Sequence, residues 1–320
     1  MDEYEDIDLN PVFATTHMVR QTIMTVESLH NAAASVNERD RKPSMTAEHD
    51  RLCPPMGQAV SCKVVPIEDG HHALVGEYDI FPSPEKIQLP DGNIGFIQQS
   101  KSNQYSFATA EFHHAETFCV GTDPTNMGGI EGVNEFFDAI RDGVGGEFET
   151  QPIERRSEIP DPELIFTLGL QLSAAWFGVR IAKAAADSIE PQLKELFDVM
   201  IKSIKNVAIN AIPKNRPVTY VCQVNGKPNL EFVARTRDAN AVISALVNDD
   251  MVDLKPRIDK LKKQYDAEML QFKLDEDGKW LFSFLLTKDG KVIGTKEAYD
   301  HSAVILSDMK KKRKKHKKNA

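Results

Sequence analysis

The chain predicts an α+β protein. Its first half reads as an N-terminal β-rich antiparallel module. A C-terminal domain follows, with a central apolar helix pair packed on a mostly antiparallel sheet, and a disordered polybasic tail ends the chain. Three observations carry this. Val- and Thr-containing runs cut by Gly and Pro fill much of residues 58–120. The longest patterned apolar stretch, 161–212, has the three- and four-residue spacing of helices. Eight Lys and Arg crowd into 310–318.

Residues 1–57 read as a polar segment, partly helical or flexible. Met18, Ile23, Val26, Leu29 and Ala33 give a partial helical stripe between Thr16 and Val36. Asn37 to Pro55 is charged and Pro-punctuated, which predicts flexibility.

The β-rich module spans 58–141. Its predicted strands are Ala59–Ile67, ending at an Asp-Gly turn, and His71–Phe81, stopped by Pro82 and Pro84. Asn93–Gln99 and Tyr105–Val120 follow. A short helix, Val133–Arg141, lies behind the loop of Gly128, Gly129 and Gly132. Residues 142–160, rich in Gly, Glu and Arg, read as the linker between domains.

The α+β domain spans 161–308. Asp161 can cap a helix and Pro162 can open it, since proline's missing N–H costs nothing at the first helical position. Leu164, Ile165, Phe166, Leu168, Leu170, Leu172, Trp176, Phe177, Val179 and Ile181 would surround that helix with apolar side chains. The second helix is one-sided. Leu193, Leu196, Met200, Ile204 and Val207 recur at helical spacing, with Lys194, Asp198, Lys202 and Lys205 between them. Pro213 and Pro217 stop it. Strands follow at Val218–Val224 and Leu230–Thr236, then a helix of 239–247 capped by Asp238, and another over Pro256–Ala267. Met269–Leu274, Trp280–Thr287 and Lys291–Thr295 read as strands joined at Asp277-Gly278 and Asp289-Gly290. Residues 309–320 form the tail.

The net charge is −9, but it is unevenly placed. Setting the eight tail cations aside leaves 31 basic residues against 48 acidic ones, a balance of −17. An acidic body repels phosphate, so the tail carries any general affinity for polyanions. Four cysteines without a C-x-x-C pair fit a reducing compartment. The acidic start, Met1-Asp2-Glu3-Tyr4, lacks the charge and apolar run of a secretion signal. The expected location is cytoplasmic, or nuclear in a eukaryote.

The tail residues Lys310, Lys311, Lys312, Arg313, Lys314, Lys315, Lys317 and Lys318 are the candidate nucleic-acid-binding set. No aromatic residue is interleaved, so base stacking and sequence preference are not expected. His72, His114 and Glu116 form a candidate divalent-metal set: His114 and Glu116 share a strand face, and His72 could join them from a neighbouring strand. Their spacing is loose, and strand histidines are more often polar surface.

Other constellations favour plain readings. His113 and Cys119 would be about 20 Å apart on a strand, too far for proton transfer. The acidic residues flanking the glycine loop oppose phosphate. Asp275, Asp277 and Gly278 resemble a calcium loop, but Leu286 stands where its last carboxylate belongs. Residues 164–179 lack charge but are short of the roughly 20 apolar residues a membrane span needs.

The expected function is a non-enzymatic interaction or regulatory protein without a cofactor. Its tail would bind a polyanion, nucleic acid first. Its body would bind a protein partner or a second copy of the chain. Two other readings are a membrane-acting effector using the 164–182 helix and a metal-dependent enzyme using His72, His114 and Glu116.

Overall fold

The computed structural model describes residues 12–17, 23–101, 107–108, 118–142, 148–152, 161–182, 190–248 and 251–319. In chain order the strands are β1 (Val12–Thr15), β2 (Lys42–Met45), β3 (Gly57–Pro66), β4 (His72–Ile80), β5 (Glu85–Gln88), β6 (Ile94–Gln98), β7 (Phe107–Ala108), β8 (Phe118–Thr122), β9 (Glu149–Pro152), β10 (Glu163–Leu168), β11 (Val218–Val224), β12 (Asn229–Thr236), β13 (Ala267–Leu274), β14 (Trp280–Thr287) and β15 (Val292–Thr295). The helices are α1 (Val26–Asn37), α2 (Ile130–Arg141), α3 (Leu170–Arg180), α4 (Glu190–Asn210), α5 (Ala239–Ile243), α6 (Leu254–Tyr265) and α7 (Lys296–Asn319). The protein is therefore mixed α and β. It divides into two units, one of residues 1–110 with 284–320, the other of 111–283.

The first unit contains a sheet in the order β1-β4-β3-β2-β7. Helix α1 lies on it, with Leu29 and Ala33 packed against Cys62 and Leu74. Thr25 starts α1 by accepting the Ser28 N–H, the expected role of an N-cap hydroxyl. At the other end Asn37 both donates to the Cys62 carbonyl and accepts its N–H, each at 2.8 Å. Lys42 is buried and donates to the Val36 carbonyl at 3.0 Å, which satisfies an orphan acceptor at the end of α1. The 37–55 stretch, expected to be flexible, contains β2 and a buried run, Leu52, Cys53, Pro54 and Pro55. The same unit holds β5, β6 and β15 as antiparallel neighbours, with α7 packed on β6 and β15.

The second unit has a sheet whose strands run β9-β8-β10-β11-β12-β13, with the first half of β14 next in order. Three of its pairs are parallel: β8 with β9, β10 with β11, and β12 with β13. Beside them β8 pairs antiparallel with β10, and β11 with β12, so parallel and antiparallel pairs alternate here. The 142–160 stretch, expected as a linker, contributes β9 to this sheet.

The apolar stretch from 164 is not one helix. Glu163–Leu168 is a strand buried along its whole length, and α3 begins only after Gly169. A continuous apolar run fits a strand buried on both faces as well as it fits a buried helix, so periodicity alone misreads it. Asp161 does not cap a helix either; it pairs with Arg216 at 3.2 Å and with Arg235. The switch from strand to helix is held by side chains. Ser173 donates to the Leu168 carbonyl at 2.9 Å, and Asn225 donates its amide to the same carbonyl at 2.7 Å. Helix α4 forms as its spacing requires, burying Leu193, Leu196, Met200, Ile204 and Val207. Among the described residues no helix is long and apolar enough to cross a membrane.

The two faces of the second unit's sheet differ. One is aromatic: Phe232 lies 5.3 Å from Trp176, 5.5 Å from Phe272 and 5.1 Å from Trp280, ring centre to ring centre. Trp176 brings α3 to this cluster and is fully buried. Truncating a large buried aromatic removes its transfer energy and leaves a cavity. Trp176→Ala should cost about 3–5 kcal/mol. It should lower the urea midpoint with little change in slope, because the surface exposed on unfolding is nearly unchanged.

Candidate functional site

Helix α7 carries the chain's strongest charge signal. Its first turns are anchored, with Ala298, Tyr299, Ser302 and Leu306 buried and the Tyr299 hydroxyl donating to the Val292 carbonyl at 3.3 Å. The backbone is helical to Asn319, where composition predicts an extended, disordered tail. Once buried turns nucleate a helix, each added residue costs little, and Lys and Arg are good helix formers. Cations also suit the C-terminal end of a helix dipole. Lys311 pairs with Asp308 one turn back at 3.0 Å. The candidate residues from Lys310 to Lys318 therefore share one helical segment of about 13 Å at 1.5 Å per residue.

The proposed histidine site is only partly within the described residues. His72 opens β4, and its backbone exchanges two 2.9 Å hydrogen bonds with Thr16. Its ring Nδ1 has no hydrogen-bond partner among the described residues. His114 and Glu116 lie outside the described residues. Next to His72 in the chain, His71 places Nδ1 3.1 Å from the Thr16 hydroxyl, and its ring meets His17 edge-on at 4.0 Å.

The structure brings together a group that sequence reasoning missed. Asp50, Cys53 and His301 each offer a donor atom, and the three atoms lie within 4.8 Å of one another. His301 Nε2 is 3.1 Å from Asp50 Oδ2. Asp50 and Cys53 belong to the turn between β2 and β3, and His301 to α7. No signal in the sequence could have joined residues 248 positions apart.

The remaining candidates are structural. Gly128 and Gly129 have φ of +82° and +106° between the short helix Pro124–Met127 and α2, a geometry that excludes most side chains. Asp123 caps that short helix, accepting the Thr125 N–H at 2.8 Å. Asp275 closes a hairpin turn by accepting the Lys279 N–H at 2.7 Å, and Gly278 supplies the positive φ. His113 lies outside the described residues.

The second sheet face carries a buried polar row. Thr167, Gln223, Glu231 and Gln271 stand opposite one another on β10, β11, β12 and β13. Thr167 donates to Gln223 at 3.0 Å. Gln223 and Gln271 then donate to the two Glu231 oxygens at 3.0 and 2.8 Å. Cys119 on β8 continues the row between Thr167 and Glu149. All four cysteines are buried and unpaired with one another. Burial, reinforced by Glu149, pushes the Cys119 thiol up to about 11, and burial likewise raises Cys222. Neither is an activated nucleophile.

No family model, curated protein or solved structure matches the chain.

The raised Cys119 pKa has a consequence for stability. The unfolded thiol ionises near 9 while the folded one holds its proton to about 11. The unfolded state therefore binds fewer protons across that window, and stability falls as pH rises through it. Denaturant melts from pH 9 to 11 should show a shallower decline in Cys119→Ala than in the unaltered chain. Equal slopes would contradict the assignment.

Proposed function

We propose that this is a non-enzymatic interaction or regulatory protein that captures a polyanion, nucleic acid foremost, on the C-terminal end of α7. The observation that carries this reading is the packing of eight cations into nine helical positions, Lys310 to Lys318. Duplex DNA holds one phosphate per about 1.7 Å of axis, so about 13 Å of it presents roughly eight. The charge density of the helix matches that of its proposed ligand. The rest of the chain, at −17, opposes a competing phosphate surface. With no aromatic residue in the segment, capture reads charge and not base identity. Specificity then falls to the folded body, through a protein partner or a second copy of the chain. The proposed location is cytoplasmic or nuclear.

A helix can turn only part of its circumference toward one duplex, so about four phosphates should be neutralised. Fluorescence anisotropy with a short DNA duplex should then give a slope of log K against log salt near −4, from about −0.9 per phosphate. Replacing Lys311, Lys312, Arg313 and Lys314 by Gln should remove most of the binding and flatten that slope. Unchanged affinity and slope in this variant would end the reading.

A further inference from the structure

The geometry points to a transition-metal site, zinc by its ligand chemistry, formed by Asp50, Cys53 and His301. Its donors are one sulfur, one imidazole nitrogen and one carboxylate oxygen. Magnesium and calcium seek six or more oxygens, whereas zinc takes mixed sulfur, nitrogen and oxygen sets of four.

The spacing is close to what a tetrahedral ion needs. Zinc–oxygen and zinc–nitrogen bonds of about 2.0–2.1 Å at tetrahedral angles put the two donors about 3.3 Å apart. Asp50 Oδ2 and His301 Nε2 are 3.1 Å apart in the structure. The sulfur, within 4.8 Å of the others, closes the third corner with a shift of at most about 1.3 Å.

The surroundings fix two of the donors before any ion arrives. Asp50 accepts the Leu52 N–H on Oδ1 at 2.9 Å and places Oδ2 3.1 Å from His301 Nε2. The Cys53 N–H donates to the Asp50 carbonyl at 3.1 Å, which ties the cysteine to the same turn. Glu48 and His49 enter this turn with φ of 52° and 57°, a left-handed geometry that non-glycine residues seldom adopt. Cys53 is fully buried and packs with Ala47, Met56 and Leu306. His301 keeps a third of its side chain exposed, and from that side a solvent molecule can fill the fourth position.

Charge balance favours the ion. A dication bound by one thiolate, one carboxylate and a neutral imidazole makes a site of zero net charge, which lowers the cost of burying it. The Cys53 proton leaves to solvent on binding. A substrate cannot reach the buried Cys53 sulfur as a nucleophile requires, whereas an ion can enter beside His301. Metal binding here would stand whether or not the basic end of α7 binds a polyanion.

The test uses the full, untagged chain stripped of metal and titrated with Co²⁺ as the spectroscopic probe. One equivalent should produce a thiolate-to-cobalt charge-transfer band in the near ultraviolet, and Zn²⁺ should displace it. Cys53→Ser should lose the band. Asp50→Asn keeps the acceptor for the Leu52 N–H and so should stay folded by circular dichroism, yet bind Co²⁺ at least tenfold more weakly. Absence of the band in the unaltered chain, an undiminished band in Cys53→Ser, or unweakened binding in Asp50→Asn would overturn the site.

Discussion

The second unit is arranged around a buried carboxylate. Glu231 sits on a central strand, out of water, and both of its oxygens accept amide hydrogens from the neighbouring strands. A buried charge without such partners is strongly destabilising, so the strands must keep the register that supplies them. Side chains alternate along a strand, and a slip of one residue would drive Glu231 into the aromatic cluster around Phe232. Gln223 and Gln271 would lose their acceptor in the same step. Apolar burial supplies the drive to fold, and this polar row selects one pairing among many that burial alone would allow.

Helix α7 works by a different rule. Its early turns are held by apolar contacts and by the Tyr299 hydroxyl, while its far end has the composition of a solvated chain. Each half explains the other: the anchored turns supply the nucleus that a cationic segment lacks, and the cations supply a charge array that the acidic remainder does not.

Much of this was legible in the amino-acid order. Strands β3, β4, β11, β12, β13 and β14 lie where Val-rich or aromatic runs meet Gly, Pro and Asp turns. The one-sided spacing of α4 and the Asp238 cap of α5 fall where the sequence puts them. The failures have physical causes. Leu164, Ile165, Phe166 and Leu168 put apolar side chains on both faces of a strand that is buried throughout, and such a run has no clear period to read. The 37–55 stretch is charged and Pro-rich, yet Lys42 and Asn37 spend their polar atoms on the backbone of α1 and β3, a use that composition cannot reveal. Asp50, Cys53 and His301 meet only through the fold of the first unit. The basic run was plain at once, but its helical state depends on anchoring residues upstream that composition does not identify.

Amide hydrogen exchange along Glu163–Leu168 tests most directly whether this apolar run is an inner strand of a water-borne fold. In plain buffer its amides should exchange among the slowest in the chain, together with those of Val218–Val224 and Asn229–Thr236, as one cooperative block. Fast exchange there, or protection that appears only when lipid vesicles are added, would contradict the account.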